Sequence, residues 1–319
     1  MSASDRPLTG VRVLDLSRVL AGPLCAMNLG DMGADVIKVE RPGTGDDTRG
    51  WGPPFAGGES AYFLCANRNK RSITLDLSQN RGREILKDLI RSVDVVIENF
   101  KLGTLARWGL TPQWFEAEAP KVIVCSITGF GSKGPKAKLP GYDFLAQAES
   151  GLMSITGPVD GEPTKFGVSI VDFCTGQFAT SAILAALNAR HRTGRGQMIE
   201  ANLYCTGLTM LINVASSHLI SGKPARRFGN GHPNAVPYRE FACGEGEIVL
   251  PIGNDAQFAR LCACVGHAEW AQDPRFERMS SRVENRETVD AMLMEAFEAK
   301  PADAWIEILQ ANGIPCSKI

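Results

Sequence analysis

Through its first two hundred residues the chain alternates short β-branched runs with longer amphipathic stretches, and this alternation limits the folds open to it. "VRVLDL" (11–16), "ADVIKVE" (34–40), "SITLDL" (72–77), "DVVIENF" (94–100) and "KVIVCSI" (121–127) read as strands. Between them, "AMNLGDMG" reads as the end of a helix closed by Gly33, and the charged "NRGREILKDLIRS" (80–92) as a further helix. Apolar strands joined through helical crossovers imply a parallel sheet covered on both faces. The expected fold class is α/β, an open doubly wound (Rossmann-like) parallel sheet.

The pattern changes later. A helix over 173–190 and a strand in "GRGQMIEANLY" complete the alternation, and residues 222–240, rich in Gly, Pro, Arg and Asn, read as a long loop. "FACGEGEIVLPIG" predicts a hairpin turning at Gly244–Gly246, and helices follow at 255–266, 283–298 and 301–312. These place a large domain over 1–224 and a second, smaller α+β domain over 225–319.

Composition narrows the function classes. With 34 Lys and Arg against 35 Asp and Glu, the net charge is −1. That gives no electrostatic reason to expect nucleic acid or an anionic membrane as partner. The nine cysteines are scattered without a C-x-x-C pair or zinc spacing, so they read as reduced thiols of a cytoplasmic protein. The opening "MSASDRPLTG" lacks a signal-type apolar run, and Asp5 and Pro7 argue against a transit peptide. "LTMLINVASSHLI" is too short and too polar to span a membrane.

Two motifs invite a chemical reading. "GFGSKG" has dinucleotide-fingerprint spacing after a strand, but Pro135 and "KAKLPGYD" follow where the fingerprint needs a helix. A nicotinamide site is therefore a weak alternative. In "GVSIVDFCTG" (167–176) a strand-like run, Val168–Val171, meets a helix at Asp172. From the segment alone, a helix-capping aspartate is the simpler reading, with a presented carboxylate the alternative.

Several segments together resemble the family III CoA-transferases. They are "LTGVRVLDLSRVLAGP" (8–23), "GADVIKVERPGTGDDTR" (33–49), "NRNKRSITLDL" (67–77), "VVIENF" (95–100), "SITGFGSKGP" (126–135), "PGYDFLAQAESGLMSITG" (140–157), "GVSIVDFCTG", "TGRGQ" (193–197) and "FGNGHPNAVPY" (228–238). "GDDTRGWGPPF" and "ESAYFLCANRNKRSI" look closest to the dicarboxylate (succinyl-CoA–glutarate) members. The resemblance implies CoA transfer between carboxylic acids through a covalent intermediate on Asp172, with no tightly bound cofactor and coenzyme A entering as acyl-CoA substrate. An aspartate with an ordinary pKa of about 3.9 is ionised for this at neutral pH, and a helix N-terminus favours the anion.

The resemblance also implies that Leu20, Ala21, Arg41, Leu75, Asn99, Phe100, Arg107 and Tyr142 bind CoA. It places Tyr142, Asp143 and the loop residues Gly229, Gly231 and His232 against the substrate, with Arg226 and Arg227 as candidate anchors for a second carboxylate. Related α-methylacyl-CoA racemases carry a histidine where Tyr142 stands. A phenol is a poor base at neutral pH, which favours transfer over the alternative of a CoA-thioester racemase. Leu20 replaces a glutamine of formyl-CoA transferases, against an oxalate/formyl pair. Relatives continue beyond "GIPCSKI" with a segment that returns to the large domain and interlocks two subunits as a homodimer. That segment is absent from this sequence, so an inactive CoA-binding fragment is a further alternative.

Overall fold

The structure is a computed structural model and describes residues 6–319; Asp5 lies outside them. The chain divides into two compact units, residues 6–153 with 165–212, and residues 154–164 with 213–319.

The first unit is built on six parallel strands, β1 (Arg12–Asp15), β2 (Asp35–Glu40), β3 (Lys70–Thr74), β4 (Val95–Glu98), β5 (Ile123–Thr128) and β6 (Met198–Asn202). Their spatial order is β3-β2-β1-β4-β5-β6. Its helices include α1 (Ala21–Asp31), α2 (Asn80–Arg91), α3 (Asp143–Glu149), α4 (Ile170–Thr193) and α5 (Leu203–Met210). Val36, Val13, Val95 and Ile123 lie side by side across four strands. Because side chains alternate along a strand, these residues pack into one core with Cys25 and Leu29 of α1 and Ala179 and Ile183 of α4. Their neighbours Leu14, Val96 and Val124 face the opposite core, under Leu86 and Ile90 of α2. Both faces are covered, as the apolar runs imply.

Two local expectations change. The strand expected over 72–77 begins at Lys70 and ends at Thr74. Val168–Val171 is not a strand, since α4 starts at Ile170. Small residues let α4 lie close on α1; a Cβ added at Gly176 would stand 2.8 Å from the Ala21 carbonyl oxygen. By length and composition α4 could cross a membrane, yet here Val171, Ala179, Ile183 and Ala186 are buried in the sheet core.

In the second unit, β7 (Tyr238–Ala242), β8 (Glu247–Pro251) and β9 (Ser317–Lys318) form an antiparallel sheet in the order β9-β8-β7. The β7–β8 turn closes where Cys243 N donates to Gly246 O at 2.9 Å. α6 (Asp255–Cys264), α7 (Arg286–Phe297) and α8 (Ala302–Ala311) pack Phe258, Leu293 and Trp305 against Phe241 and Ile248. The division falls before the expected boundary at 225, and the unit takes in residues 154–164. Arg227 explains that inclusion: its guanidinium donates to the carbonyls of Ser154, Pro158 and Gly161.

Candidate active site

The strand order reverses between β1 and β4, and in open α/β sheets the crevice beyond the carboxyl ends of such strands receives ligands. Here the loops leaving β1 and β4 are stapled together. Arg18 N donates to Asn99 Oδ1 at 3.0 Å, and Asn99 Nδ2 donates to Arg18 O at 2.7 Å. The next residue, Val19, has φ of 70°. For a β-branched residue this left-handed conformation is strained, by about 1–3 kcal/mol, and it turns the chain directly into α1. Val19 N donates to Asp46 Oδ1, at 3.3 Å.

Two cavities lie over this reversal, and Arg18 and Phe100 line both. The larger, of about 520 Å³, is walled by Arg41, Leu75, Arg83, Arg107 and Trp108 among others. The smaller, of about 310 Å³, is walled by Leu20, Ala21, Asn99, Tyr142, Asp172, Lys101 and Lys138 among others. Every position implied to bind CoA thus lines one of the two. Their states differ, however. The Asn99 amide is committed to the Arg18 backbone, and Arg107 donates to Thr104 Oγ1 at 2.9 Å. Arg41 and Arg18 share the Asp47 carboxylate, each at 3.1 Å.

Behind the larger cavity sits a buried charge cluster. Lys38 reaches Asp46 at 3.0 Å and donates to Ser17 O, while Lys70 donates to Asp15 and Pro23 O. Burial pushes the Asp15 carboxyl up, but Lys70 and Lys38 outweigh it and hold it below the usual range. Burial likewise opposes ionisation of Glu40. Its bonds from Arg49, Ser72 and the Asp46 amide win and lower it to about 2. Truncating one partner of such a buried pair would leave the other uncompensated, so these charges read as the frame of the loops rather than as reactive groups.

Asp172 is in the first turn of α4, whose N-cap Ser169 makes no side-chain cap bond. The cap comes from α3. Asp143 Oδ1 accepts from Val171 N at 2.8 Å and from Asp172 N at 3.0 Å, and Asp143 Oδ2 accepts from Gln147 Nε2 at 2.6 Å. Gln147 Oε1 in turn accepts from Phe166 N at 2.8 Å. Asp172 therefore does not cap its helix, and the helix end offers it little, because a second carboxylate already occupies those N–H groups. Burial, and then the Asp143 charge, push the Asp172 carboxyl up to about 7. The expectation of an ordinary, fully ionised aspartate is corrected accordingly.

Around this pair, Tyr62 is hydrogen-bonded to the Ser169 side chain, and burial raises its phenol. Cys174 is raised by burial and then by Asp143, so it is no thiolate. Tyr142 is 59% exposed and begins α3 as its N-cap. The preceding residue is pinned there, since a Cβ on Gly141 would stand 2.2 Å from the Cα of Gly129. "GFGSKG" thus supplies a backbone crossing in a loop and leads into no helix.

Gly229, Gly231 and His232 belong to the second unit. Arg286 donates to the carbonyls of His232 and Pro233, and His232 N donates to Tyr238 O. Arg227, holding three carbonyls, is no free anchor for a carboxylate, whereas Arg226 is exposed and lies over the Phe228 ring. Sequence reasoning missed Arg18, Val19, Tyr62, Gln147, Lys101 and Lys138. Of these, Arg18, Val19, Tyr62 and Gln147 lie in segments already singled out for the resemblance, whereas Lys101 and Lys138 fall outside them and had no signal.

A doubly wound sheet with an arginine-walled crevice over its strand reversal, beside a cavity that holds a carboxylate of raised pKa, defines an α/β protein with a cation-lined site at its topological switch point. The family model described as CoA-transferase family III matches residues 8–319, and the chain belongs to that family; it is a CoA-transferase. It is 46% identical over 316 residues to the succinyl-CoA:glutarate CoA-transferase of Mus musculus, covering 99% of this chain and 72% of that protein. It is 45% identical over 320 residues to the succinate–glutarate CoA-transferase of Agrobacterium fabrum, covering 98% of this chain and 80% of the relative. Among solved structures, a CAIB/BAIF family protein from Brucella suis superposes with a TM-score of 0.83 at 45% identity, over 98% of this chain and 84% of that one. Rv3272 from M. tuberculosis gives 0.87 at 32% identity, over the same shares.

Proposed function

We propose that the chain moves CoA from succinyl-CoA to a dicarboxylate such as glutarate, through a covalent intermediate on Asp172. The observation that carries this reading is the place of Asp172. It lines the cavity that shares Arg18 and Phe100 with the arginine-walled crevice over the strand reversal. The names of the mouse and Agrobacterium relatives support the substrate pair.

The ionised Asp172 carboxylate attacks the donor's acyl carbon; the C–S bond breaks, giving a mixed anhydride and CoA thiolate. The thiolate attacks the aspartyl carbonyl and releases the donor acid, leaving an aspartyl-CoA thioester. The acceptor carboxylate then attacks that carbonyl and expels the thiolate. The thiolate finally takes the acceptor's acyl group from the second anhydride and regenerates the Asp172 carboxylate. The covalent route divides one difficult exchange into successive easier acyl transfers, which is what a covalent intermediate contributes. Arginine forks suit the phosphates of CoA, and Arg41, Arg83 and Arg107 are the candidates. Lys101 and Lys138, in the Asp172 cavity and without an ion pair among the described residues, offer charge for an acceptor's second carboxylate.

A CoA-thioester racemase would need a second acid–base group beside Asp172, and a phenol such as Tyr142 is a poor one at neutral pH. The proposed setting is a homodimer, supported by the half-exposed Phe173 and Phe178 of α4. A reducing compartment such as the cytoplasm is supported by nine free thiols.

The test incubates the protein with succinyl-CoA and glutarate and follows glutaryl-CoA and the intact protein by mass spectrometry. Asp172→Ala and Asp172→Asn are expected to abolish both the product and a CoA adduct on the chain. Transfer by Asp172→Ala at the parental rate would overturn the mechanism.

A further inference from the structure

The resemblance placed Asp143 against the substrate, but its hydrogen bonds point elsewhere. The side chain is buried, and both carboxylate oxygens are engaged by protein donors, Val171 N and Asp172 N on one and Gln147 Nε2 on the other. α4 has no side-chain cap of its own, because Ser169 makes none and Ile170 N turns back to Val168 O. A serine or threonine would satisfy those amides without charge. A carboxylate instead sets a fixed anion beside another carboxylate, a costly arrangement for the fold alone.

We propose that Asp143 is a positioning residue for the nucleophile: reaching across from α3, it caps α4, clamps the Asp172 backbone, and by its charge makes the Asp172 carboxylate a stronger nucleophile. The proposal rests on Asp172 being the attacking group. Asp143 does not touch substrate. Gln147 holds it in turn and ties the assembly to the backbone at Phe166.

The other titratable groups around Asp172 do not duplicate this effect. Tyr62 senses both carboxylates, and Cys65 and Cys174 lie near the cluster, but burial raises all three above their ordinary values. They are uncharged at neutral pH. The cavity's cations, Arg18, Lys101 and Lys138, oppose Asp143 in sign.

The test compares the pH dependence of kcat/KM for succinyl-CoA in the parent, Asp143→Asn, Asp143→Ala and the double variant D143N/Q147E. The parent should lose activity below about 7, where Asp172 takes up its proton. Asp143→Asn keeps an oxygen for the two amides but removes the charge. Its acid limb should move down by about one pH unit, and kcat should fall roughly tenfold. Asp143→Ala removes the clamp as well, and kcat should fall about a hundredfold with KM for acyl-CoA little changed. The double variant supplies an acceptor for the introduced amide and returns a negative charge one hydrogen bond further away. It should recover most of kcat, with an intermediate acid limb.

Parental kcat and acid limb in Asp143→Asn would overturn the proposal, as would a raised KM at unchanged kcat, the mark of a substrate contact. Should the Asp143 variants fail to fold, Gln147→Leu leaves both cap bonds and removes one donor to Asp143. It should change kcat and acid limb, and no change in either counts against the proposal. Intact-mass detection of the CoA adduct separates the two claims. A parent without an adduct on Asp172 overturns the functional reading. Adducts with unchanged kinetics in every Asp143 and Gln147 variant overturn only the role of Asp143.

Discussion

At the scale of single residues, the carboxylate proposed as the nucleophile also weakens the fold. Asp172 has its pKa raised from 3.8 to about 7, so the folded chain holds that proton more tightly than the unfolded one does. Stability contributed by this group is therefore fully present below the unfolded pKa and is lost as pH rises through the folded one. Asp172→Asn is expected to stabilise the protein above about pH 7, by on the order of 2 kcal/mol after a discount for the partial exposure of the carboxyl. The gain should disappear towards pH 4. Urea unfolding of parent and variant at both ends of this range checks it, and equal differences at the two pH values would contradict the assignment. None of this was legible around Asp172 itself. The motif marked an aspartate near a helix start. Its partner lies 29 residues away on another helix, and a shift caused by burial and a neighbouring charge exists only once the chain has folded.

Among the elements, the α1–α4 contact sets the crevice. α1 opens at Leu20 and Ala21, both on the cavity wall with Asp172 of α4. The two helices approach at Gly176, where a Cβ would meet the Ala21 carbonyl at 2.8 Å and the Leu24 Cβ at 3.2 Å. A backbone carbonyl cannot rotate aside as a side chain can, so Gly176→Val should cost about 1–3 kcal/mol. It should also push the start of α1 away from Asp172, lowering kcat more than the loss of folded protein explains. Thermal unfolding together with kcat per folded molecule tests this; unchanged kcat would mean that α1 tolerates the shift. The strands and the long helices were readable, because apolar runs with β-branched residues and a 3.6-residue period carry their own signal. The start of α4 was not. "SIV" has strand character, and only the Asp143 cap from another element makes it the first turn of a helix. Likewise nothing in "SITGPVDGEPT" announced that residues 154–164 join the second unit, since Arg227 is more than sixty positions beyond Gly161.

For the molecule as a whole, charge is nearly balanced, 34 basic against 35 acidic side chains, so attraction of an anionic substrate must come from where the charges are placed. Most are neutralised in place. Lys38 and Lys70 are buried against Asp46 and Asp15, and Arg49 against Glu40 and Glu59. Arg18 and Arg41 share Asp47. In the cavity that holds Asp172, Lys101 and Lys138 are the cations with no ion pair among the described residues. Lys138 shares its loop with Tyr142, the residue before the cap of α4, and lines the same cavity as Asp172, the proposed nucleophile. Lys138→Ala should therefore raise KM for glutarate roughly tenfold, the worth of one charge-assisted contact, and leave KM for butyrate within about twofold. Added salt should shrink the glutarate effect, because a partly exposed pair is screened over about 10 Å at 0.1 M. Succinyl-CoA carries a free carboxylate of its own, so the measurement uses propionyl-CoA as donor, which keeps the acceptor effect separate and gives a distinct product with each acceptor. Equal losses for glutarate and butyrate would show that Lys138 shapes the loop and does not read the second charge; Lys101→Ala, measured the same way, would then identify which lysine does.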